Sequence, residues 1–299
     1  MIYTWAQKKA AMQELIEEYY APPLREAGFV SYKDEGFHWY RIKGELLLTV
    51  RMPIFSPSSP LELEPGFGAV PIFTWEHIAP AGAVCDFDWD YRHGCDHFFS
   101  VRENSTCFFA QKRVGKLPRR SYVLPRCYYH VDNGLLIGHL NSDRCGGEAV
   151  DELILPVLDG MLTVEDVYEW NKRIKAELLN CLSDDEMLQE LETDYMGTGR
   201  TVWCMSLTFA DECIYCRDER FYPYLLYHLR QLPTEIGELP QRRKTKAETE
   251  ELKADIAHAQ VLIKVLETGD RELFDAELAK QKERMLAQIR KKLPELKIE

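Results

Sequence analysis

The chain of 299 residues has no run approaching the roughly 18 uninterrupted apolar positions that a membrane-crossing helix needs, so no membrane partner is expected. An apolar leader is also missing. Residues 1–20 carry acids and lysines where a signal peptide would have its hydrophobic centre, and the expectation is a cytoplasmic protein. Basic charge is scarce: 37 Lys and Arg stand against 49 Asp and Glu, for a net charge of −12. That balance argues against nucleic acid, whose phosphates repel such a surface, and favours solubility or a basic partner. Nine cysteines, an odd number, have no second Cys-x-x-Cys pair, which points to reduced thiols instead of a disulfide framework or a zinc ribbon. Also absent are Gly-x-Ser-x-Gly, His-Glu-x-x-His, Gly-x-Gly-x-x-Gly and the kinase signatures. Ala110 stands where a phosphate-binding loop ending in Gly115-Lys116 would need its first glycine. No cofactor is expected.

What is present reads as an α+β fold. Trp5, Met12, Leu15, Ile16 and Tyr19 recur at helical spacing up to Pro22-Pro23, which ends or restarts the helix. Two extended runs follow, 37–42 and 46–52, joined by a turn at Lys43-Gly44-Glu45. The six prolines between 53 and 82 disfavour a central strand, and this stretch reads as an ordered loop with short edge strands. Strands are expected again at 84–91, 97–103, 106–112, 121–131 and 135–140, the last two across Asp132-Asn133-Gly134.

Beyond Gly146-Gly147 the period becomes helical. Thr163 with Asp166 and Ser183 with Glu186 resemble capping boxes, each opening a helix. Residues 201–209 alternate and read as one further strand of the same sheet as 28–140, with helices 5–20 and 163–182 packed on it. From 219 onward the pattern is helical, and 245–293 read as an αα-hairpin broken at Gly269-Asp270. Its first helix offers Leu252, Ile256, Ala259, Ile263 and Leu266 as a seam, with Leu262 and Val265 widening it. The pattern divides the chain into an α+β domain, 1–240, and a helical hairpin, 241–299. The hairpin packs on that domain or forms a homodimer contact.

The order of a leading helix, Leu24-x-x-x-Gly28-Phe29, then Tyr40-Arg41 and an apolar strand at 46–52, resembles bacterial proteins of the domain of unknown function 4304 family over residues 11–56. The resemblance implies an α+β fold and transfers no catalytic residue.

Chemistry is most concentrated at 85–97. In a strand, Asp86, Asp88 and Asp90 share one face while Phe87, Trp89 and Tyr91 take the other, and His93 and His97 follow. Those five polar residues are the candidate ligand site. They could serve a metal-assisted hydrolase or transferase, or simply face water from an edge strand. Cys213 and Cys216 could be a redox pair, half a zinc site or two plain thiols. The basic groups Lys112, Arg113, Lys116, Arg119, Arg120 and Arg126 suit an anion or a solvated loop. Three functions follow: a binding or protein-interaction module, the metal-assisted enzyme, or an acidic neutraliser of a basic toxin or effector.

Overall fold

The computed structural model describes residues 10, 13, 14, 16–34, 36–51, 66–74, 99–100, 127–132, 135–140, 150–178, 181–195, 207–238 and 246–298. The fold is α+β, with a five-stranded antiparallel sheet and a helical second half. No described helix is long and apolar enough to cross a membrane.

Helical residues 16–19 run into α1 (Ala21–Glu26), whose first turn holds Pro22-Pro23. Proline is well placed there, because the N–H it lacks would have no partner in a first turn. The sheet is β1 (Val30–Ser31), β2 (His38–Lys43), β3 (Leu46–Arg51), β4 (Gly66–Pro71) and β5 (Phe99–Ser100), each strand pairing with the next. Gly44, at φ +58°, and Glu45 form the two-residue turn between β2 and β3.

Gly28, Phe29 and Arg41 pack together where α1 meets the sheet. Gly28 turns the chain out of α1 at φ +82°, and Phe29 is buried behind it. The Arg41 guanidinium lies 4.9 Å from the Phe29 ring centre, donates to the Ala27 carbonyl at 2.9 Å and pairs with Asp159. A Cβ at Gly28 would meet only the Arg41 side chain, at 3.8 Å, so backbone strain dominates the cost of substitution there. Gly28→Ala should therefore lower stability by about 1–2 kcal/mol, read as a lower denaturation midpoint at unchanged slope.

Alternation along the strands gives the sheet two apolar faces. Trp39, Leu46, Leu48, Val50, Phe67 and Ala69 point into the main core, while Tyr40, Leu47, Val70 and Ile72 build a second one. After a π-helical turn at Val150–Ile154 come α2 (Leu155–Gly160), α3 (Val164–Leu178), α4 (Asp184–Tyr195), α5 (Leu207–Tyr215), α6 (Tyr222–Glu238), α7 (Lys246–Thr268) and α8 (Arg271–Lys292). The main core joins the sheet to the leading helix and to α3, whose Trp170 meets Phe67 at 6.2 Å between ring centres. The second core lies under the end of the chain, where Met285, Leu286, Ile289, Leu293 and Leu296 cover the opposite sheet face.

The first capping box forms in full: Thr163 Oγ1 accepts from the Asp166 N–H while Asp166 Oδ2 accepts from the Thr163 N–H. At the second, Ser183 Oγ accepts from the Glu186 N–H at 3.2 Å, but Glu186 Oε2 accepts from the Leu182 N–H, one residue earlier, at 2.6 Å. Asp270 caps α8 by accepting from the Leu273 N–H at 3.0 Å, with Gly269 at φ +70° closing α7.

Four expectations are corrected. Residues 207–209 belong to helix α5 and not to a strand. Thr208 to Ile214 are all buried, so this helix has no polar face to impose a 3.6-residue rhythm, and residues 201–206 lie outside the described residues. Strand β4 is paired on both sides, to β3 and β5, because Pro65 and Pro71 bracket it and Gly66 to Val70 are free of proline. The hairpin β6 (Cys127–Asp132) and β7 (Leu135–Leu140) pair with one another as a separate two-stranded sheet. Finally, the buried stripe of α7 is Asp255, His258, Ala259, Leu262 and Val265, one residue out of step with the expected seam, leaving Ile256, Ile263 and Leu266 half-buried. The strands expected at 84–91 and 106–112 lie outside the described residues, and of 97–103 only Phe99–Ser100 is described.

Candidate functional site

Two polar constellations organise the helical half. The first is buried among α5, α7 and α8. His258 of α7 places Nε2 3.0 Å from both carboxylate oxygens of Asp211 on α5, and Nδ1 3.0 Å from Glu277 Oε1 on α8. The Gln281 amide donates to Glu277 Oε1 at 2.5 Å, and Lys280 reaches in from the surface to Glu277 Oε2 at 2.9 Å. Asp211, His258, Glu277 and Gln281 are each at most 5% exposed.

With a carboxylate at each nitrogen, the ring needs both N–H groups as donors and is held as the imidazolium. Burial by itself would lower its pKa. The Asp211 charge and the hydrogen bonds to Asp211 and Glu277 outweigh burial, and His258 is pushed up to about 9. Burial likewise works to raise Glu277, but the hydrogen bonds from His258, Lys280 and Gln281 bring it down to about 2. For Asp211, burial wins and its carboxyl is raised despite the imidazolium.

The second constellation lies where α3, α4 and the α5–α6 connection meet. Lys172 Nζ sits 2.9 Å from Glu169, 3.0 Å from Asp184 and 3.6 Å from Asp218. Arg220 clamps Asp218 at 2.7 Å and Asp184 at 2.9 Å, and the Tyr168 hydroxyl donates to Asp218 at 3.1 Å. Burial pulls the Lys172 ammonium down, yet hydrogen bonds to Glu169 and Asp184 leave its pKa raised. The Tyr168 phenol is raised by its own burial first, then by its neighbours Cys213 and Asp218.

Cys213 lies in α5 and Cys216 one residue beyond its end, so the pair does not sit between a strand and a helix. Both are free thiols. Burial pushes Cys213 up to about 12, and burial with the nearby Glu165, Glu212 and Glu169 does the same for Cys216. A redox or nucleophilic cysteine needs the reverse, a cationic setting that favours the thiolate. Cys213, whose thiol donates to the Asp218 carbonyl at 3.3 Å, should therefore resist iodoacetamide at pH 8 in the folded protein and react after denaturation, as read by peptide mass.

Asp86, Asp88, Asp90, His93 and His97 lie outside the described residues, as do the basic groups from Lys112 to Arg126. Among the described residues no group of three or more His, Cys, Asp and Glu has metal-binding geometry. The sequence reading missed Asp211, His258, Glu277, Lys172 and Asp218. One signal was there: Asp255 and His258 share the buried stripe with Leu262 and Val265, a polar interruption of an apolar seam.

No family model, no curated protein and no solved structure matches this chain.

Proposed function

We propose that the chain is a cytoplasmic protein-interaction module that takes a basic protein partner on the outer face of α4. The carrying observation is the protonation state of its clustered groups: His258 and Lys172 are held as cations, and Cys213, Cys216 and Tyr168 are held protonated. A general base or nucleophile needs a pKa near working pH or an activated anion, and each of these groups is displaced away from that condition. Their work is cohesive: they tie α3, α4, α5, α7 and α8 into one scaffold.

Charge on that scaffold supports the nature of the partner. Asp185, Glu186, Glu190 and Glu192 are exposed on α4, whose 12 residues include no Lys or Arg, while Lys172 and Arg220 engage Asp184 at its start. Carboxylates lined up this way steer a cationic surface and set its register.

The test uses the full chain as immobilised bait in a lysate of its source cells. A stoichiometric basic protein should be retained at low salt and released as salt rises. The variant Asp185→Asn/Glu190→Gln/Glu192→Gln should melt at the same temperature and lose that protein at least tenfold. Equal retention by the variant, or no stoichiometric retention at all, would reject the proposal.

A further inference from the structure

The two apolar cores divide α8 between them. Phe274 and Leu278, in its first half, belong to the main core, and Met285 and Ile289, in its second half, belong to the core on the opposite sheet face. Glu277 and Gln281 stand at this division, where His258 grips the helix. From there to Leu296 the chain lies over Tyr40, Leu47, Val70 and Ile72, and the ion pair from Lys282 to Glu45, at 2.9 Å, fastens it to the β2–β3 turn.

We propose that α8 from Gln281 onward is a proton-latched strap: the imidazolium of His258 clamps α8 to α5 and α7, and release of its proton loosens the strap and uncovers the apolar sheet face. The proton passes to a base in the solvent. The neutral ring keeps a single N–H, so one of its two carboxylate neighbours then faces a lone pair at 3.0 Å with no cation between them. The cation Lys280 holds Glu277 from the surface side and not from the ring. From α5 the ring is faced by Asp211, while Glu212 turns to Asn171 at 2.6 Å. From α8 it is faced by Glu277 and Gln281, backed by Lys280 on the former and Arg284 on the latter. α7 itself carries buried Asp255 one turn earlier, and α6 contributes buried His228 and an Arg230 held by Glu267 at 2.6 Å. Stored at the junction of the two cores, the proton governs whether the second core stays covered.

Hydrogen–deuterium exchange on the full chain between pH 6 and 10, corrected for intrinsic exchange, reads the strap directly. Peptides covering 40–50 and 281–296 should lose protection together above about pH 9, tenfold for each further pH unit, while α3 peptides stay protected. Asp211→Asn removes one anion and should move that loss down by about one pH unit. In His258→Gln the strap peptides should be open at pH 7 and insensitive to pH. An NMR titration of wild type, with His258 Cε1–H staying at the imidazolium shift through pH 8, serves if that variant does not fold. Strap peptides protected to pH 10, loss only together with α3, or His258 titrating near or below 6.5 would overturn the latch.

Discussion

His258→Ala is expected to lower stability by about 3–5 kcal/mol at pH 6, the range for removing one partner from a buried charge cluster. The methyl group leaves Asp211 and Glu277 facing one another across the space of the ring, both buried, with Glu277 still held by the Gln281 amide and the surface Lys280. Chemical denaturation at two pH values separates this from a plain cavity. His258 is raised from 6.5 to about 9, so its contribution is full below 6.5 and is lost as the pH climbs through about 9. That shift alone corresponds to something on the order of 3 kcal/mol. Glu277 works at the other end: lowered from 4.5 to about 2, it contributes fully above 4.5 and loses its contribution as the pH falls through about 2. Asp211, raised by burial, blunts that acid-side loss. His258 and Glu277 by themselves place the highest stability between about pH 4.5 and 6.5, and Asp211, whose raised carboxyl costs stability as the pH rises through its own pKa, moves that optimum toward acid. The difference between wild type and His258→Ala should shrink by pH 9.5, whereas a cavity effect would be the same at both. Replacing Asp211, His258 and Glu277 together by apolar residues of similar volume should be far milder than His258→Ala, because no charge is left stranded.

Deleting residues 241–299 should give an aggregated protein, with the mass appearing at the void of a sizing column. The deletion takes Ala259, Leu262, Val265, Phe274 and Leu278 out of the main core and strips the cover from Tyr40, Leu47, Val70 and Ile72. It also leaves Asp211 buried without the ring it grips. An apolar sheet face of this kind, opened to water, is a self-association surface. A smaller cut shows the same physics in graded form: Ile289→Ala and Met285→Ala should each cost about 2–5 kcal/mol through lost burial and the cavity left behind. A truncated chain that stays soluble, melts at the original temperature and keeps its oligomeric mass would make the hairpin an independent appendage. A clean shift from dimer to monomer would instead make it a subunit contact.

The legible features of this protein are those whose cause is local. Thr163 with Asp166 and Ser183 with Glu186 satisfy helix N–H groups within four residues. Gly44 makes its turn through its own backbone freedom, and Gly269-Asp270 ends one helix and caps the next. Phe274, Leu278, Met285 and Ile289 report a helix buried on one side, so their period can be read directly.

The candidate site was hardly legible at all, because its residues matter only through what meets them. Asp211 and His258 lie 47 positions apart, and His258 and Glu277 19 apart. Nothing in the neighbourhood of His258 marks it as a cation, since its charge is set by two carboxylates brought in by other helices.

The sequence by itself determined the α+β class, the helix caps, the β2–β3 turn and the break between the last two helices. Tertiary structure decided the rest: that 207–215 is a helix, that β4 is paired on both sides, that the α7 seam falls one residue away from its apparent line, and that His258 holds its proton. The division has one physical reason. Hydrogen bonds within a turn and one-sided burial leave a periodic trace in the chain that makes them. Burial on every side erases that trace, and a charge pair between distant helices never leaves one.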